Sequence, residues 1–207
     1  MTKLLLSTMA LGKQLQVANS HVSVGLTNPK SPSNVGAVMR AAGCYSVDQV
    51  LYTGQRYANA AKYSSDKHNT DTKNARDKIP LFAIDDFEHI KEQLENLPAT
   101  TKIICVDLVE GATPLPHFEH PAQAFYIFGP EDGTISQAVI DSADEVVYVP
   151  TVGCMNLAAS VNVLLYDRLA KSLVVQNQTE SDLALIRKSR DTNNKVKVIN
   201  KANLECG

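Results

Sequence analysis

AFYIFGPEDGTIS, Ala124 to Ser136, is the stretch on which the fold turns. From Ala124 to Phe128 it is apolar or aromatic at every position. That run is too short for a helix and too continuous for a strand with one wet face, so it predicts a strand buried on both sides. Gly129-Pro130 ends it. Glu131 and Asp132 then stand at the carboxyl end of a buried strand, the edge at which open α/β sheets bind their ligands. A Gly133-Thr134 turn leads into ISQAVIDSADEV, whose apolar side is Ile135, Ala138, Val139 and Ala143.

Outward from this strand the same grammar repeats. Strands are expected near residues 22–27, 49–53, 80–84, 102–108, 124–129 and 145–149, with helical patterns between most of them. The alternation predicts an α/β fold with a mainly parallel sheet flanked by helices. No G-x-G-x-x-G follows a strand and no G-x-x-x-x-G-K-[ST] occurs, so neither a dinucleotide fingerprint nor a P-loop is present.

Two helices carry polar groups where a ligand could meet them. In NPKSPSNVGAVMRAAG, Asn28 to Gly43, Pro32 and Ser33 suit a helix start, and Val35, Val38, Met39 and Ala42 form a core stripe. Arg40 falls opposite that stripe, flanked by Gly36 and Gly43. Asn34 sits in the first turn, where an amide and free backbone N–H groups can meet an anion. A cap at Asn34 and a solvated charge at Arg40 would be the ordinary alternative. Further on, VVYVPTVGC reads as a buried strand ending at Pro150, with Gly153 easing entry to NLAASVNVLLYDRL. In that helix Asn156, Ser160 and Asp167 share an arc with Val163, and Leu157, Ala158, Val161, Leu164 and Leu165 spread over the surface to be buried. A core helix whose polar groups bond to neighbours would look the same.

Taken together, these segments resemble the SPOUT-class RNA methyltransferases, specifically the TrmH/SpoU branch that methylates ribose 2′-hydroxyls of tRNA or rRNA. Asn34, Gly36-Ala37 and Arg40 match its first motif, and Phe128 to Glu131 its second. Val149-Pro150 with Met155-Asn156-Leu157 and the helix to LLYDRL match the third. The likeness covers roughly residues 22 to 170. Cys154 stands where the family has serine, and Gly133 comes one position early.

The resemblance implies a SPOUT fold with a C-terminal trefoil knot, S-adenosyl-L-methionine as cofactor, an RNA partner and a homodimer in which Arg40 reaches its neighbour's cofactor. It implies Arg40 as the main catalytic group, with Asn34 positioning Arg40 or the phosphate and Glu131 orienting Arg40 or the loop. Asn156 would anchor the cofactor turn. Gly129, Val149 and Met155 would surround the cofactor, with Leu108 and Cys154 as further contacts. It divides the chain into a methyltransferase domain, 1–175, and a polar, partly basic extension, 176–207. An RNA-binding protein that keeps the fold without the chemistry, and a nucleotide-binding α/β regulator, are the competing readings.

Composition fits without deciding. With 20 Lys and Arg against 22 Asp and Glu the net charge is −2, so RNA binding would need a local basic patch. Basic residues gather in Gly54 to Lys78 and in Ile186 to Lys201, each a candidate segment that orders on RNA. Cys44, Cys105, Cys154 and Cys206 show no metal spacing, so no metal is expected. No apolar run reaches membrane-span length and no convincing leader precedes the fold, which makes the cytoplasm the expected compartment, with reduced thiols.

Overall fold

The computed structural model describes residues 20–63, 79–176, 186–187, 189, 193–194 and 196. The chain divides into two compact units, 1–172 and 173–207. Most of the basic stretch expected to order on RNA, residues 64–78, and most of the C-terminal extension lie outside the described residues. Of the first basic stretch, Arg56–Tyr63 is α-helix.

The strands are β1 His21–Leu26, β2 Gln49–Tyr52, β3 Leu81–Ala83, β4 Lys102–Val106, β5 Thr113–Pro114, β6 Gln123–Phe128 and β7 Glu145–Tyr148. They form one sheet in the order β3-β2-β1-β6-β4-β7-β5, every neighbouring pair parallel. The helices are α1 Pro32–Cys44, α2 Arg56–Tyr63, α3 Ile90–Gln93, α4 Gln137–Ser142 and α5 Leu157–Gln176. After β3 the chain crosses to the other half of the sheet, and β6 later fills the place between β1 and β4. The carboxyl ends of β1 and β6 are thereby brought side by side.

Strand alternation sends residues to two cores. Val22, Val24, Leu26, Ala124, Tyr126 and Phe128 pack with the buried faces of α1 and α5, while Phe125, Ile127, Ile103 and Cys105 pack with Phe87, Ile90 and Val139 on the other side. The predicted stripe of α1 is buried, as are Leu157, Ala158, Val161, Leu164 and Leu165 of α5. Gly25 is required by close approach: a Cβ there would sit 2.8 Å from both Phe87 and Phe125, whose rings meet edge to face across it.

Three expectations change. β7 was expected to be a buried strand ending at Pro150, yet it ends at Tyr148 and only Val147 is fully buried. The neighbour on its outer side, β5, is two residues long and covers little of it. β5 itself escaped the sequence reading because two residues carry no period, and Pro114 suits a sheet edge. Ala138 is exposed rather than buried, since α4 runs for only six residues and buries one of them, Val139.

Polar clusters fasten the amino-terminal edge. Asp144 accepts from Lys91 Nζ at 2.8 Å, Lys102 Nζ at 2.9 Å and the Ile103 N–H at 2.8 Å. Burial alone would raise its pKa, but these donors hold the carboxyl at about 2. Near the start of β6, His120 bonds through Nδ1 to Tyr126 Oη at 2.7 Å and through Nε2 to Asp167 Oδ2 at 2.9 Å. Arg168 donates to the Pro121 and Ala122 carbonyls and to Tyr126 Oη, and Lys171 to those of Leu115 and Phe118. The long crossover from β5 to β6, which has no α-helix of its own, is tied to α5 in this way. Asp167, read from the sequence as part of a polar arc, belongs to this clamp.

Candidate functional site

The carboxyl ends of β1, β4, β6 and β7 converge with the first turns of α1 and α5. Helix α1 starts at Pro32, and its cap is Ser31, whose Oγ accepts the Asn34 N–H at 3.3 Å. The amide of Asn34 is therefore not used as a cap. It donates instead through Nδ2 to Glu131 Oε1 at 2.7 Å. Glu131 also accepts the backbone N–H of Lys30 at 2.5 Å and of Ser31 at 3.3 Å. A carboxylate at a helix N-terminus satisfies orphan N–H groups and complements the helix dipole. The β6 loop is in this way bracketed to the loop after β1.

Glu131→Gln would keep the shape but give up the charge and one acceptor. The expected loss is about 1–2 kcal/mol, seen as a fall of roughly 2–4 °C in Tm per kcal/mol in a thermal melt. An unchanged melt would mean that the bracket contributes nothing to stability.

Arg40 stands six positions beyond Asn34, about 9 Å along the helix and about 240° around it, so it lies outside the bracket. It is exposed and makes no hydrogen bond or ion pair among the described residues. Gly43 beside it is exposed, whereas Gly36 is buried, so the guanidinium is open on its carboxyl-terminal flank.

Gly129 is forced by its surroundings. A Cβ there would come 2.5 Å from Asp107 Oδ2. Asp107 in turn accepts the Ile135 N–H at 2.9 Å and the Leu108 N–H at 2.8 Å, closing the β6 loop onto the end of β4. The early glycine is not needed for backbone geometry, because Gly133 has no positive φ. Leu108 is 59% exposed, Val149 and Met155 are half-buried, and Cys154 is exposed. Asn156 Oδ1 accepts the Ala159 N–H at 2.7 Å and caps α5. Its NH₂ has no partner among the described residues.

Asn34 and Glu131 are thus brought into contact, while Arg40 and Asn156 are joined to neither by a hydrogen bond. Two participants were missed. Asp107 follows a buried strand, and the rule that singled out Glu131 could have found it. Arg56 binds Asp132 through its two terminal guanidinium nitrogens at 2.7 and 2.8 Å. No local signal announces that pair, since its members lie 76 residues apart.

Among the described residues no group of three or more His, Cys, Asp or Glu could hold a metal ion, and no helix is long and apolar enough to cross a membrane. The thiol of Cys105 is pushed up to about 12 by burial and by the nearby Asp107, which makes it unreactive.

The parallel α/β sheet gathers Asn34, Gly129 and Glu131 at its carboxyl edge. The chain belongs to the SpoU rRNA Methylase family, which it matches over residues 21–166, more than half its length. Solved structures share the fold. The SpoU methyltransferase AviRb from Streptomyces viridochromogenes, in complex with AdoMet, has a TM-score of 0.65 at 18% identity, covering 78% of this chain and 64% of that one. The A. aeolicus TrmH/SpoU tRNA modifying enzyme has a TM-score of 0.64 at 14% identity, covering 88% and 93%. An rRNA methyltransferase from Sinorhizobium meliloti has a TM-score of 0.60 at 16% identity, covering 73% and 56%. The chain spans less than two thirds of the S. meliloti and Streptomyces proteins. No curated protein sequence matches it significantly.

Proposed function

We propose that this protein transfers the methyl group of S-adenosylmethionine to a ribose 2′-hydroxyl of tRNA or rRNA. The observation that carries the reading is the arrangement on α1: an Asn34–Glu131 bracket that fixes its first turn, and an unpaired Arg40 further along the same helix.

The residues at the carboxyl edge fit the cofactor. Gly129 packs against the Asp107 carboxylate, which ties the β6 loop to the end of β4, and half-buried Val149 and Met155 supply apolar walls, a common way to hold a small ligand. Bound there, S-adenosylmethionine supplies a methyl group already activated by its sulfonium. The chain's own task is alignment and charge. Arg40 meets the target phosphate and ribose and stabilises the negative charge that develops on the 2′-oxygen. A guanidinium stays protonated, so it acts electrostatically and not as the base. Asn34 and Glu131 hold the helix that carries it, and Asn156 holds the turn before α5.

This reading includes the family's C-terminal knot and a homodimer that pairs Arg40 with the neighbouring subunit's cofactor. On α5, Val163 and Tyr166 lie one turn apart and are 39% and 62% exposed, apolar surface suited to a two-fold contact.

The deciding experiment incubates the protein with labelled S-adenosylmethionine and separate pools of unmodified tRNA and rRNA, followed by digestion to nucleosides. A labelled 2′-O-methylated nucleoside is expected. Cofactor binding without any labelled product would favour a nucleotide-binding α/β regulator or a descendant that keeps the fold and binds without the chemistry. Cys154→Ser is expected to preserve or increase turnover, because exposed Cys154 replaces a hydroxyl at the cofactor turn. Inactivation by serine would give the thiol a role of its own.

A further inference from the structure

The β6 loop has a second side. Glu131 faces α1, whereas Asp132 and Thr134 line a cavity of about 400 Å³ at the carboxyl ends of β1, β2 and β3, together with Arg56, Asp85 and Asp86. Its size lies within the roughly 300–1,000 Å³ usual for ligand pockets. It is lined by none of the residues assigned above to the cofactor or to catalysis.

We propose that this cavity receives one unstacked base of the RNA substrate and reads paired N–H donors on its edge, as guanine presents them. The proposal rests on the RNA methyltransferase reading above.

The chemistry follows from which groups are already engaged. The two-bond pair with Asp132 neutralises Arg56 and fixes its guanidinium plane. Such a plane is a surface on which bases stack. Asp86 Oδ1 is taken by the Glu88 N–H and by Gln93 Nε2. Asp85 is exposed and has no partner among the described residues, and the same holds for Thr134.

A free carboxylate repels phosphate and offers two coplanar acceptors without a donor. Its natural complement is a pair of parallel N–H groups, the geometry by which arginine grips carboxylates. Among the four standard bases, only guanine carries two adjacent donors on its Watson–Crick edge, N1–H and the 2-amino group. A metal ion is a poor alternative, since Asp85 is the one carboxylate of the three not already engaged. RNA sequence is read mainly from splayed, unstacked bases, which is the form this cavity admits.

The test measures binding of the full chain to short single-stranded RNAs on a uridine background, each carrying one guanine or one inosine, by fluorescence anisotropy. Inosine lacks only the 2-amino group. The wild-type protein is expected to favour guanine about tenfold, and Asp85→Asn to bring the ratio near one with an unchanged thermal melt. No preference in the wild type, or a preference that survives Asp85→Asn, overturns the assignment. Methyl transfer by the same preparation separates the two readings. Transfer without base discrimination removes the cavity assignment alone, and absence of both transfer and RNA binding removes the enzymatic reading and this one with it.

Discussion

Arg40→Ala is expected to lower methyl transfer by about 10²–10³-fold, the usual cost of removing one group that stabilises developing oxyanion charge. Cofactor affinity and folding should hardly change. Arg40 is exposed and unpaired among the described residues, and substitutions at such positions usually move stability by less than about 0.5 kcal/mol. Single-turnover rates with saturating RNA, set beside calorimetric binding of S-adenosylmethionine, separate the two effects. Arg40→Lys keeps a charge but loses the planar fork, so partial activity is expected. Full activity in the alanine variant would remove Arg40 from the mechanism.

A loss of stability in mild acid is the second large effect expected. His120 is 4% exposed and is pulled down to about 4 by burial. The hydrogen bond that His120 donates to Asp167 works in the opposite direction, and the charges of Arg168 and Lys171 lower the pKa further. A histidine whose folded pKa lies below its unfolded value near 6.5 is neutral in the native state. The unfolded chain then binds more protons between those two values. The stabilisation is present above pH 6.5 and is lost as the pH falls towards 4, by about 3 kcal/mol. Asp144, held at about 2, loses its own contribution as the pH falls from the ordinary carboxylate value towards 2, mostly below the His120 window. Urea unfolding from pH 7 to 4.5 should show the slope in the wild type and lose most of it in His120→Gln. An equal slope in both would assign the acid sensitivity elsewhere.

The clamp around His120 was not foreseen, although its members are ordinary residues. His120 and Asp167 lie 47 positions apart, and nothing near either announces the other. Buried strands, by contrast, could be read in advance. Ala124 to Phe128 and Ile103 to Val106 are continuous apolar runs because both faces of a parallel sheet are covered, and both are buried. The stripes of α1 and α5 were equally visible, since a helical period repeats within a few residues. Where cover was partial the same reasoning overreached. Val146 and Tyr148 are apolar or aromatic like their neighbours, yet they are only half-buried, because burial of β7 depends on what lies beyond it.

The site divides along the same line. Local pattern singled out Asn34, Arg40, Glu131 and Asn156 as candidates, and placed Asn34 and Asn156 at helix starts, Glu131 at a strand end and Arg40 on the open face of α1. It could not say that Asn34 gives its amide to a carboxylate 97 residues away, or that Ser31 takes over the cap. Nor could it join Arg56 to Asp132, or set Gly129 against Asp107. Those contacts follow from strand order. Because β6 is inserted between β1 and β4, the loops after all three strands meet at one edge, and no short-range period along the chain encodes which strands become neighbours.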